Sequence, residues 1–167
     1  MKVKIMSKAL LPGSYDPITV GHLDIIRRCS KMFDEVVVLI SKNSSKNYML
    51  CSKNRAALAE DAVKDLPNVR VDVFDGYLVD YAKTNNIDVT VKGLRNGADF
   101  EYEQNMAYTN LQLSQNIHGY DFETLYMPCN KKFSDISSSL VRMLLQKNGS
   151  IDELVPNSKL LLELIKA

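Results

Sequence analysis

The chain has no tryptophan, only two histidines and three cysteines in 167 residues, and no excess of either charge: 21 Lys and Arg stand against 20 Asp and Glu, a net charge of +1. Each shortage removes a class of protein. Cys29, Cys51 and Cys129 are odd in number and scattered, with no C-x-x-C, so they suit neither a disulfide frame nor a zinc site and read as reduced thiols of a cytoplasmic protein. Balanced charge leaves no basic face for nucleic acid, so no nucleic-acid partner is expected. No apolar run approaches the ~20 residues of a membrane span, and no signal-peptide core is present, so no membrane partner is expected either. Repeats, low-complexity tracts and a Pro/Gly/Ser-rich linker are also missing. A single domain over residues 1–167 is the expectation, long enough to bury a full core.

What the chain does have is alternation. SKALLPG reads as a first strand, which MKVKIM could lengthen, and a helix follows from about Val20 to Phe33 with Leu23, Ile26, Cys29 and Phe33 on one face. EVVVLIS is a continuous apolar run, the pattern of a strand covered on both sides. SKNRAALAEDAVKDL reads as a helix capped by Ser52, NVRVDVF as a strand, YLVDYAKTNN as a short helix and IDVTVKG as a fourth strand. A long helix from about Ala98 to Gln115, the strand FETLYMP, a helix ending on Gly149 as its C′ residue and an amphipathic helix from Pro156 complete the series. Strands alternating with helices predict an α/β fold: a Rossmann-like, doubly wound, five-stranded parallel sheet with helices on both faces. Ligands of such sheets lie beyond the carboxyl ends of the strands, where the strand order reverses.

The loops at those ends carry the chemistry. After the first strand, PGSYDPITVGH passes through Gly13 and Ser14 to Thr19, Gly21 and His22 at a helix start. Free N–H groups and the positive end of the helix dipole favour an anion there and disfavour a protonated imidazole, so His22 is expected to act as a hydrogen-bond donor. A lone histidine at a helix start is ordinarily a surface residue; the T-x-G-H spacing argues otherwise. After the second strand, residues 41–55 hold four basic side chains and no acidic one, with Lys42 and Lys46 able to reach a phosphate. Lys92 and Arg95 flank Gly93 and Leu94 after the fourth strand. After the fifth, Ser137, Ser138 and Ser139 exceed what one N-cap requires, with Arg142 a turn further on. Taken separately, these are a solvated loop, a strand end and a serine-rich cap; converging on one helix N-terminus, they suit a polyanion.

In this order and spacing, PGSYDPITVGH, KGLRNGADFEYE and ISSSLVR closely resemble the bacterial phosphopantetheine adenylyltransferases. T-x-G-H with I-S-S-S-x-x-R marks the wider nucleotidyltransferase superfamily, and G-L-R-x-x-x-D-F-E-Y-E narrows it. The resemblance covers nearly the whole chain. It implies transfer of AMP from ATP to 4′-phosphopantetheine, giving dephospho-CoA and pyrophosphate, by a homohexamer using Mg²⁺ that accompanies ATP, with no metal held by the protein itself.

Carried over by position, the resemblance makes His22, Lys46 and Arg95 the catalytic set. ATP would meet Ser14, Tyr15, His22, Gly93, Leu94, Arg95, Glu103 and the run Phe133, Ser134, Asp135, Ile136, Ser137, Ser138 and Ser139. Phosphopantetheine would meet Ser14, Lys46, Leu78 and Lys92. Ser14 stands where the family usually has Thr, Tyr15 replaces Phe, Phe133 replaces Trp, and Lys92 replaces the Arg that holds the acceptor phosphate. The segment Ser114–Tyr120 is longer than usual, and His118 within it has no assigned role. Two rivals remain open: a relative acting on another acceptor such as nicotinate mononucleotide or glycerol phosphate, and a nucleotide-binding subunit without turnover.

Overall fold

A computed structural model describes residues 7–42 and 47–166. Lys46 and the segment MKVKIM lie outside the described residues. Five strands, β1 (Lys8–Gly13), β2 (Glu35–Ser41), β3 (Val69–Phe74), β4 (Val89–Leu94) and β5 (Glu123–Pro128), form one sheet of order β3-β2-β1-β4-β5 with every pairing parallel. This is the doubly wound arrangement expected. Six α-helices connect and flank the strands: α1 (Val20–Ser30), α2 (Ser52–Val63), α3 (Leu78–Thr84), α4 (Gly97–His118), α5 (Ser138–Gln146) and α6 (Ser158–Lys166).

Period-two alternation in the central strands divides the core. Ala9, Leu11, Val36, Val38 and Ile40 face α1, α2, α5 and α6, where Ile26, Ala59, Val141 and Leu161 are fully buried. Leu10, Val37 and Leu39 face the other way, against Val79 and Ala82 of α3 and against Phe122. The five central residues of β2 are all buried, as its unbroken apolar run requires.

The functional crevice opens between β1 and β4, where the strand order reverses. Those strands pair only at Ala9 with Val89 and Leu10 with Thr90. β1 stays in register with β2 through Gly13 and β4 with β5 through Leu94, so the sheet splits between its two halves at this point. Pro12, which has no N–H to offer a neighbour, sits in the divergent stretch.

Several helix ends differ from expectation: α1 stops at Ser30 instead of Phe33, α2 at Val63 instead of Leu66, and α6 starts at Ser158 instead of Pro156. The N-cap of α2 is Cys51, in extended conformation and without a side-chain cap, so Ser52 is its first helical residue. Helix α5 ends in a Schellman motif one residue earlier than predicted: Asn148, at φ 55, is the left-handed C′ residue, and the Gly149 N–H donates to the Leu144 carbonyl at 2.8 Å. Helix α4 runs 22 residues, through His118, and closes on left-handed Gly119.

Candidate active site

The β1–α1 loop builds one wall. Tyr15 takes a left-handed φ of 47 and folds its ring back so that its hydroxyl donates to the Leu11 carbonyl at 2.9 Å. That ring lies against Gly13, where a Cβ would fall 2.8 Å from it. Gly13 therefore makes room for Tyr15.

Thr19 and His22 then close a reciprocal capping box on α1. The Thr19 hydroxyl accepts from the His22 N–H, and the Thr19 N–H donates to His22 Nδ1 at 3.0 Å. With Nδ1 accepting, the neutral ring carries its proton on Nε2, a donor at the cavity wall. The Tyr15 ring edge, 5.1 Å away, supports the imidazole from the side. Burial, followed by the charge of Arg95, lowers the His22 pKa from 6.5 to about 4. Burial thus keeps the ring neutral, as the donor role expected of His22 requires.

A second helix N-terminus meets the first. Ser137 caps α5 by accepting from the Leu140 N–H, while Ser138 donates to the Pro17 carbonyl at 2.9 Å. Arg142 donates to the Asp16 carbonyl at 2.6 Å and to the Ser139 hydroxyl at 3.1 Å. Of the three hydroxyls that looked spare in the sequence, Ser138 gives its proton to Pro17, while Ser137 and Ser139 only accept and keep theirs, so an anion here can be met by two hydroxyls beside the backbone amides and the paired dipoles.

Between these walls lies a cavity of about 300 Å³. It gathers Ser14, Tyr15, His22, Gly93, Arg95, Glu103, Phe133 and Ile136 to Ser139 from the expected ATP set. Leu94, Ser134 and Asp135 stand off its wall; Leu94 gives its carbonyl to Cys129, and the Ser134 hydroxyl turns back to Lys131. Thr19 and Gly21 of T-x-G-H also line it, and the cavity residues that the sequence reading missed are Ile25, Asp99 and Cys129. Asp99 was legible as the i+4 partner of Arg95, and it grips that guanidinium at 2.9 and 3.0 Å. That contact holds the Asp99 carboxyl below its usual range.

A larger cavity of about 520 Å³ lies across the β1 end, between α3 and α4, and includes Ser14, Leu78, Lys92 and Glu103. A wedge of about 170 Å³ between the diverging strands, lined by Gly13, His22, Gly93 and Glu103, separates the two. Both cations described in the larger cavity are held by carboxylates: Lys92 by Glu103 at 3.0 Å and Lys42 by Asp75 at 2.9 Å.

Two buried residues brace the loops from behind. The Asp16 carboxylate accepts the Met49 and Leu50 amides at 2.7 and 3.0 Å. Arg55 turns inward, donating to the Ser14 and Ser41 carbonyls beneath the Tyr48 ring.

A profile of the cytidylyltransferase-like family matches residues 10–144. Phosphopantetheine adenylyltransferase of Clostridium novyi is 45% identical over 152 residues, covering 91% of both chains. That of Dictyoglomus thermophilum is 42% identical over 152 residues, covering 91% of this chain and 90% of its own. The chain belongs to the phosphopantetheine adenylyltransferases. A solved structure from Vibrio parahaemolyticus, provisionally described as a nicotinate-nucleotide adenylyltransferase, superposes with a TM-score of 0.69 over 95% of this chain and 93% of its own. At 20% identity it establishes the fold and not the acceptor.

Proposed function

We propose that the chain transfers the adenylyl group of ATP to 4′-phosphopantetheine, releasing pyrophosphate and forming dephospho-CoA, the penultimate step of coenzyme A synthesis. The carrying observation is His22, a neutral donor fixed by Thr19 that lines both the 300 Å³ cavity and the wedge beside it. ATP fills the 300 Å³ cavity against the N-termini of α1 and α5, and phosphopantetheine fills the 520 Å³ cavity.

The acceptor phosphate attacks the α-phosphorus in line, and pyrophosphate leaves from the opposite side. An ionised phosphate needs no general base, and no covalent intermediate forms. The rate comes from positioning and from cancelling charge on the α-phosphoryl oxygens. His22 Nε2–H donates to one of those oxygens. Ser14, at the edge of both cavities, touches both substrates, while Lys92 and Lys46 meet the acceptor. Arg95 reaches the triphosphate by exchanging part of its Asp99 contact for a phosphate oxygen. Among the described residues no group of three His, Cys, Asp or Glu side chains could hold a metal. The Mg²⁺ accordingly enters with ATP and offsets the triphosphate charge.

No helix among the described residues is long and apolar enough to cross a membrane, which supports a cytoplasmic location. Tyr102, Met106 and Tyr108 are exposed along α4, and these apolar positions support a homohexamer; light scattering on the purified protein tests it. Pyrophosphate release from ATP tests the activity. Release only with phosphopantetheine supports the proposal, release only with nicotinate mononucleotide replaces the acceptor, and binding without turnover removes the enzyme.

A further inference from the structure

Helix α3 has seven residues, and its N-cap, Tyr77, makes no side-chain cap bond. So short a helix is unstable alone, and its place is set by what holds it. One side is tied to β3: the Tyr81 hydroxyl donates to Asp72 at 2.7 Å and accepts from Arg70 at 3.1 Å. The other side is tied to the end of α4. His118 Nε2 lies 2.7 Å from Asp80 Oδ1, the Tyr120 hydroxyl donates to the Val79 carbonyl at 3.4 Å, and Lys83 Nζ sits 5.0 Å above the Tyr120 ring.

These ties lie beside the larger cavity. Tyr77 and Leu78 form one wall, with Asp80 two positions on; Met106, Asn110 and Leu113 form the facing wall on α4. Past Leu113 the helix lines no cavity described above, yet it continues to His118 and stops there on left-handed Gly119. Its last turn reaches Asp80 and nothing in the reaction.

We infer that His118 is a positioning residue for the acceptor: by holding Asp80 it fixes the gap between α3 and α4, and with it the affinity for the pantetheine arm. This rests on reading that cavity as the acceptor site. Contact with substrate is not required. The side chain of Asp80 is 42% exposed, so water can take over when His118 is removed, and the fold survives.

Steady-state kinetics of the full-length protein with ATP and phosphopantetheine test the inference. His118→Ala raises KM for phosphopantetheine about three- to fivefold, the reach of a partly exposed hydrogen bond to a carboxylate, and leaves kcat and KM for ATP unchanged. His118→Gln, whose amide can donate to Asp80 from the place of Nε2, restores KM. Asp80→Ala added to His118→Ala raises KM no further. Unchanged KM in His118→Ala, no rescue by Gln, or a parallel fall in kcat, both affinities and melting temperature overturns the positioning role. If the wild-type protein shows no turnover of phosphopantetheine, the acceptor reading fails and the inference fails with it. Wild-type turnover with an unmoved KM in the variant sinks the inference alone.

Discussion

The backbone amide of Thr19 points at Nδ1 of His22 from 3.0 Å and, with the Thr19 hydroxyl also 3.0 Å from that nitrogen, decides which imidazole nitrogen faces the substrates. Replacing His22 by Ala removes a donor on the α-phosphoryl oxygens and lowers kcat by ~10²–10³. Secondary structure by circular dichroism stays as in the wild type. Full activity in that variant takes His22 out of the mechanism.

The same imidazole sets a pH dependence. Its pKa falls from 6.5 unfolded to about 4 folded, so in that interval the unfolded chain binds the extra proton. Stability on this account is complete above 6.5 and declines as the pH drops toward 4. Urea unfolding midpoints measured down that range follow the decline in the wild type and flatten in His22→Asn. Turnover shows no inflection from His22 near neutrality, and the His22 ring resonances shift near pH 4 in NMR.

Thr19→Val keeps the amide but deletes the hydroxyl that caps α1. The loss of the cap costs about 0.5–2 kcal/mol of stability. Because the amide still orients the ring, kcat falls much less than in His22→Ala. Chemical denaturation and steady-state assays on the same preparations separate the two effects.

Lys92→Arg tests the point-charge substitution at the acceptor end. A guanidinium can hold Glu103 and a phosphate oxygen together, so KM for phosphopantetheine falls, by about three- to tenfold for a bidentate contact. An equal or higher KM shows that Lys92 does not meet the acceptor phosphate.

Asp16→Ala strands the Met49 and Leu50 amides, which the buried carboxylate now satisfies. Hydrogen bonds to a charged group carry about 1.5–3 kcal/mol. The variant therefore unfolds at clearly lower urea while ATP still protects it from unfolding.

Local patterns carried most of the fold in the sequence. EVVVLIS could hardly be anything but a central parallel strand, and the order of elements left one plausible winding. Of the site, Ser14, His22, Arg95 and the serine run were legible because their motifs are contiguous. Asp16 and Arg55 were not: their partners are amides and carbonyls of segments 14 to 41 residues away, and backbone groups leave no trace in side-chain patterning. The end of α5 misled for a related reason, since asparagine, unlike most residues with a side chain, can also adopt the left-handed conformation. That Arg95 and Lys92 are already engaged by Asp99 and Glu103 follows from packing, which spacing only suggests.

The seam between Ser138 and Pro17 joins positions 121 residues apart. During synthesis, then, the opening turn waits unfinished while most of the polypeptide is still being made. A nascent chain released before α5 emerges would hold the imidazole but lack the opposing half of the phosphate cradle, so nucleotide capture on the ribosome must come late, after nearly all the sheet is in place.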